Sequence, residues 1–102
     1  MEKQVNETSI AYKADDGTVY LITPITPVAG VLGVTGIPAE AKKDLNYIWE
    51  DSGVSKLILF IPQEQPEYIK AARSAGFKQE GRLKKATLEG DLLVFGQYRK
   101  DG

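Results

Sequence analysis

AARSAGFKQEGRLKKATLEGDLLVFGQYRKDG, residues 71–102, carries the punctuation that decides how this chain folds. Its first residues close a helix, and Gly76 stops that helix because glycine enters the left-handed region without strain. Phe77 to Lys85 then reads as a strand, Leu88–Asp91 as a turn, and Leu92–Arg99 as a returning strand. Helix end, Gly-Phe junction and strand pair form one continuous unit.

Working back from that unit, Lys56-Leu-Ile-Leu-Phe-Ile-Pro62 is a continuous apolar run. Such a run predicts a strand buried on both faces, usually parallel and covered by helices. A helix over Pro66–Ala75 follows it and turns Ile69, Ala72 and Phe77 toward the core. Before it, Ala41, Leu45, Ile48 and Trp49 recur at i, i+4, i+7 and i+8, which paints one stripe on a helix over Ala39–Asp51. Pro38 suits its first turn and Gly53 its end, with Trp49 as a core anchor. Val28–Val34 reads as a strand, so strand, helix and the Lys56–Ile61 strand make a right-handed βαβ unit. Gly30 and Gly33 within it mark either a bulge or tight packing, or an exposed edge that meets a ligand.

Farther upstream, Ser9–Lys13 and Thr18–Thr23 flank Ala14-Asp15-Asp16-Gly17, a strong hairpin signal. Pro24 and Pro27 break the pattern after it, since each removes a ladder donor. Met1–Thr8 is polar and reads as flexible. The predicted order is β-β-β-α-β-α-β-β, an α+β fold with a mixed sheet in a single domain, residues 1–102.

Composition narrows the chemistry. A chain of 102 residues with 42% hydrophobic and 26% charged residues suits one globular core. Thirteen basic and fourteen acidic side chains leave a net charge of −1, which recommends neither nucleic acid nor an anionic membrane as partner. There is no cysteine and no histidine, so disulfides, thiolate nucleophiles, imidazole bases and the usual zinc ligand sets are excluded. No apolar run is long enough to span a bilayer, and the expected location is the cytoplasm.

Gly76, Phe77, Glu80, Gly81 and Leu83, together with the strand and helix before them, resemble the closing part of the GCN5-related N-acetyltransferase family. The resemblance spans Ser9–Arg99 and is most specific over Gly53–Arg99. The chain is also similar in size and ending to small acetyltransferase-like proteins of bacteriophages, which would place it in the host cytoplasm. The resemblance implies the acetyltransferase fold without its usual first strand and two front helices. It further implies that two parallel strands splay to accept the pantetheine arm of acetyl-CoA or CoA. Gly30, Val31, Leu32, Gly33, Thr35, Gly36, Ile37 and Ala39 would then bind the cofactor. Tyr68 is the candidate general acid, although a partly buried packing tyrosine is the better account of it.

Several positions depart from the family pattern. The turn that should cradle a diphosphate, Val34–Ala41, has one glycine, no Gln or Arg, and a proline that donates nothing. Glu40 carries the wrong sign for an anion site. Gln65 stands where the family often has asparagine, and Ala72 where it often has the acidic tyrosine. Glu7, Asp15 and Asp16 look solvated, and Glu64 and Glu67 are placed to cap the second helix, so no general base is marked. The expected function is therefore a degenerate acetyltransferase-like domain with a non-catalytic interaction or assembly role. A protein partner or self-association would use the sheet face left open by the missing helices. The alternative is an acetyl-CoA-dependent N-acetyltransferase acting on a primary amine, and a CoA-binding regulatory domain stands between the two. No metal is expected.

Overall fold

Gly17 and Asp16 turn the chain at its predicted hairpin. Gly17 adopts φ 89°, and the Thr18 N–H donates to Asp16 Oδ1 at 2.9 Å. The computed structural model describes residues 1–99, in a seven-stranded sheet with two helices. The strands are β1 (Glu2–Val5), β2 (Ile10–Lys13), β3 (Val19–Pro24), β4 (Ala29–Val34), β5 (Lys56–Pro62), β6 (Lys78–Leu83) and β7 (Leu92–Tyr98). Helix α1 (Ala41–Ser52) joins β4 to β5, and α2 (Pro66–Ser74) joins β5 to β6. The sheet order is β1-β2-β3-β4-β5-β7-β6, with β4–β5 the parallel pair and the others antiparallel. This is the predicted α+β architecture.

One strand corrects the expectation. Met1–Thr8 contains β1, which pairs with β2 from Glu2↔Lys13 to Val5↔Ile10. The Asn6 N–H donates to the Ser9 carbonyl at 2.8 Å and closes the turn between them. A strand therefore stands where the first strand was expected to be missing, and no helix lies between it and the hairpin. All of β1 is exposed, so no apolar alternation marks it.

The Gly-Phe unit is explained by sterics. Gly76 ends α2 at φ 100°, and the Gln97 side chain lies where a Cβ on Gly76 would stand. Phe77 is buried. Glu80 is the extra residue of a bulge between Gln79 and Gly81; it lies over Gly96 and pairs with Lys56 at 2.7 Å. At the other crossover, Gly53 caps α1 in the left-handed region at φ 74°.

Strand register sorts the side chains. Tyr12, Tyr20, Ile22, Leu32, Leu57, Ile61, Leu93 and Phe95 join Leu45, Ile48 and Trp49 of α1 and Ala72 of α2 in one core. Both helices thus cover the same side of the sheet. On the other side, Leu21 is 40%, Phe60 41% and Tyr98 65% exposed. That corrects the prediction for β5, which is buried on one face instead of two. Its apolar run suits a covered strand, but among the described residues no helix covers the second face. Nor is any described helix long and apolar enough to cross a membrane.

Candidate functional site

The two parallel strands share only the pairs Ala29↔Lys56, Gly30↔Leu57 and Val31↔Ile58. Beyond that point each follows its other neighbour. β4 stays with β3 through Ile22↔Leu32, Leu21↔Gly33 and Tyr20↔Val34, while β5 stays with β7 as far as Pro62↔Leu92. The strands therefore part, and the Leu32–Val34 edge has no β5 partner. Backbone donors and acceptors on such an edge can pair with an extended ligand.

Helices α1 and α2 roof the split and enclose a cleft of about 280 Å³. Leu32, Val34, Leu45, Leu59, Ile61 and Phe77 wall it, and Ala71, Ala72 and Ala75 of α2 leave room beneath the helix. The polar side chains on its lining belong to Tyr20 and Tyr68. The Tyr20 hydroxyl donates to Asp44 Oδ2 at 2.6 Å within the core. Burial first, and the Asp44 carboxylate second, push this phenol far above its ordinary value. Tyr20 is thus held protonated and committed to Asp44, and Tyr68 is the other tyrosine on the lining. Farther along α1, Tyr12 donates to Asp51 Oδ2 at 2.8 Å, and Lys3 pairs with the same oxygen at 2.7 Å. The bonds from Lys3 and then Tyr12 hold Asp51 below the usual carboxylate range.

At the mouth, residues 35–40 connect β4 to α1. Thr35 is tied to β3: its N–H donates to the Val19 carbonyl at 3.1 Å, and its Oγ1 accepts the Val19 N–H at 2.9 Å. Asp16 reaches over from the first hairpin, so that its Oδ2 accepts the Ala39 N–H at 3.2 Å. The Thr18 amide above all, with help from Ala39, holds Asp16 below the ordinary carboxylate value. Glu40 precedes α1 and pairs with Lys43 at 3.4 Å. No side chain caps the helix, so its first-turn N–H groups stay open beside two carboxylates.

No protein-family model and no curated protein matches the chain by sequence. Solved structures do match its architecture. Spermidine N-acetyltransferase from Vibrio cholerae, in complex with CoA and spermine, aligns with a TM-score of 0.70 at 14% identity, over 88% of this chain and 64% of that one. A chimera of the Vibrio cholerae enzyme with hSSAT gives 0.70 at 13%, over 88% and 65%. Ribosomal-protein-S5-alanine acetyltransferase from Vibrio fischeri gives 0.69 at 15%, over 92% and 63%. The fold is that of the GCN5-related N-acetyltransferases. At these identities the likeness is one of fold, and the chain spans 63% to 65% of the length of these neighbours.

The fold family implies acetyl-CoA, and the residues fit its two ends differently. The split and its apolar walls suit a pantetheine arm. The mouth does not suit the diphosphate: Pro38 has no N–H, the Ala39 N–H is taken by Asp16, and Glu40 adds negative charge. Among the described residues no group of three or more acidic side chains is placed to hold a metal.

The predicted site residues divide accordingly. Leu32, Gly33, Gly36 and Tyr68 line the cleft, and Ile37 and Ala39 line a groove outside its mouth. Gly30 and Val31 lie below the split. A Cβ on Gly30 would stand 2.7 Å from Ile22 Cγ2, so Gly30 serves tight packing, in a strand without a bulge. Thr35 is engaged with Val19. The sequence marks Asp44 only by its position beside the Leu45 stripe, and Asp16 is the exposed turn residue expected of it, with its bond to Ala39 the part that the sequence does not show.

Proposed function

We propose that the chain holds the pantetheine arm of an acyl thioester between β4 and β5 and transfers the acyl group to a primary amine, as an N-acetyltransferase. The observation that carries this is the parallel pairing that ends at Val31 and Ile58, with an apolar cleft behind it. The CoA held by the Vibrio cholerae neighbour of the same fold adds support. Backbone groups of Leu32, Gly33 and Val34 would pair with the arm, while Gly36, Ile37 and Ala39 flank its exit. The amine nitrogen bonds to the thioester carbonyl carbon, the C–S bond breaks, and the departing thiolate takes a proton from the Tyr68 hydroxyl. Solvent reprotonates Tyr68 and accepts the proton shed by the amine. Proximity in the cleft supplies much of the rate enhancement.

A second proposal is a non-catalytic interaction or assembly domain. The open sheet face with exposed Leu21, Phe60 and Tyr98 favours it, because exposed apolar side chains on an uncovered sheet face attract a partner or a second copy. The same face could receive another chain that completes an acceptor pocket.

Thermal melts with acetyl-CoA and with S-acetyl-pantetheine separate these proposals. Ligand at 100 times its dissociation constant adds about 2.7 kcal/mol, several degrees for a domain of this size. No shift with either compound would remove the thioester site. A shift without acetylation of any primary amine tested would leave binding and remove transfer.

A further inference from the structure

We infer that the thioester taken by this cleft carries no nucleotide diphosphate, and that its natural form is an acyl-pantetheine arm with one phosphate or none. The inference rests on the cleft being a thioester site and concerns what lies beyond its mouth.

The arm end is open and apolar, whereas at the diphosphate end the chain's own groups take up or withhold part of the backbone donors and add negative charge. Asp16 Oδ2 accepts the Ala39 N–H at 3.2 Å, and its other oxygen is held by Thr18 at 2.9 Å, so the carboxylate is fastened in place from both sides. Pro38 contributes no donor, and Thr35 directs its N–H to Val19. Of the five turn positions from Thr35 to Ala39, these three offer a phosphate no free N–H, which leaves Gly36, Ile37 and the uncapped first turn of α1 as the donors, beside fixed carboxylates. The charges add to the effect. Asp15, Asp16, Glu40 and Asp44 stand around the start of α1 with Lys42 and Lys43, and Lys43 is paired with Glu40 at 3.4 Å. Of the two lysines, Lys42 is in no ion pair among the described residues. The diphosphate and ribose phosphate of CoA would meet fixed carboxylates with no surplus of positive charge.

Two sources share this chemistry: a free pantetheine thioester, and a phosphopantetheine arm carried on a protein. Calorimetric titration of the whole chain with S-acetyl-pantetheine, S-acetyl-4′-phosphopantetheine, acetyl-CoA and a carrier protein loaded with the acetylated arm distinguishes them. The arm compounds should bind at least as tightly as acetyl-CoA. Tighter binding of the loaded carrier assigns the arm to a protein, equal binding to the free thioester, and either sustains the inference. The double variant D16N/E40Q should gain about tenfold for acetyl-CoA and nothing for S-acetyl-pantetheine. Acetyl-CoA binding the unmodified chain tenfold more tightly than either free arm compound would overturn the inference while leaving the thioester site intact. Binding of none of them would overturn both.

Discussion

At its inner end the cleft is walled by Leu32, Leu45, Leu59, Ile61 and Phe77, whereas at its mouth the chain gathers Asp16, Glu40, Lys42 and Lys43. The inner end is a product of strand register. β4 is bound to β3, β5 to β7, and the gap between them persists as long as the core does. The mouth depends on a few exposed side chains whose replacement disturbs no packing. The gap and the charges at its mouth can therefore vary independently, because the two are held by different parts of the molecule.

The largest effect should come from breaking the base of the split. Leu57 is fully buried in the stretch where β4 and β5 run together, so Leu57→Ala should cost about 2–5 kcal/mol in a denaturant titration. Both ends of the cleft would go with it. Next comes Tyr20→Phe, which leaves Asp44 buried without its donor and should cost about 1–3 kcal/mol. Retained stability in that variant would mean that the bond does not hold α1 over the sheet.

Tyr68→Phe sharpens the comparison from the functional side. This exposed hydroxyl should matter little for stability, within about 0.5 kcal/mol. As the thiolate's proton donor it should lower kcat about 100-fold and leave thioester affinity unchanged. A matching loss of affinity would instead make Tyr68 a wall of the cleft.

The smallest effects should be those of pH. Asp16, Asp51 and Asp91 are held below their ordinary value of 3.8, so the unfolded chain takes up protons first as pH falls. Their contribution is full above that value and is lost as pH drops below it. Tyr12 and Tyr20 are raised above their ordinary value of 10.0, so the unfolded chain loses those protons first. Stability should accordingly decline again above about pH 10, as followed by melting temperature across a pH series.

Much of the fold was legible because local rules wrote it. Asp16-Gly17, Gly53 and Gly76 each mark a left-handed turn, and the Leu45, Ile48 and Trp49 stripe marks a buried helix face. β1 was not legible, since its exposed residues gain their strand conformation from pairing with β2. Nor was the exposure of Phe60, which depends on what covers a sheet and not on β5 itself. The site was less legible still. The split is a relation among four strands, and Asp16 meets Ala39 only because the hairpin and the crossover turn are brought together by the sheet. Glu40 alone announced in advance that the mouth is acidic.

Amide chemical shifts followed during titration with S-acetyl-pantetheine test the central claim most directly. Perturbations should concentrate at Leu32, Gly33 and Val34, at Leu59, Phe60 and Ile61, and at Tyr68 and Ala72. Perturbations confined to the open face around Leu21 and Tyr98, or none at saturating ligand, would contradict it.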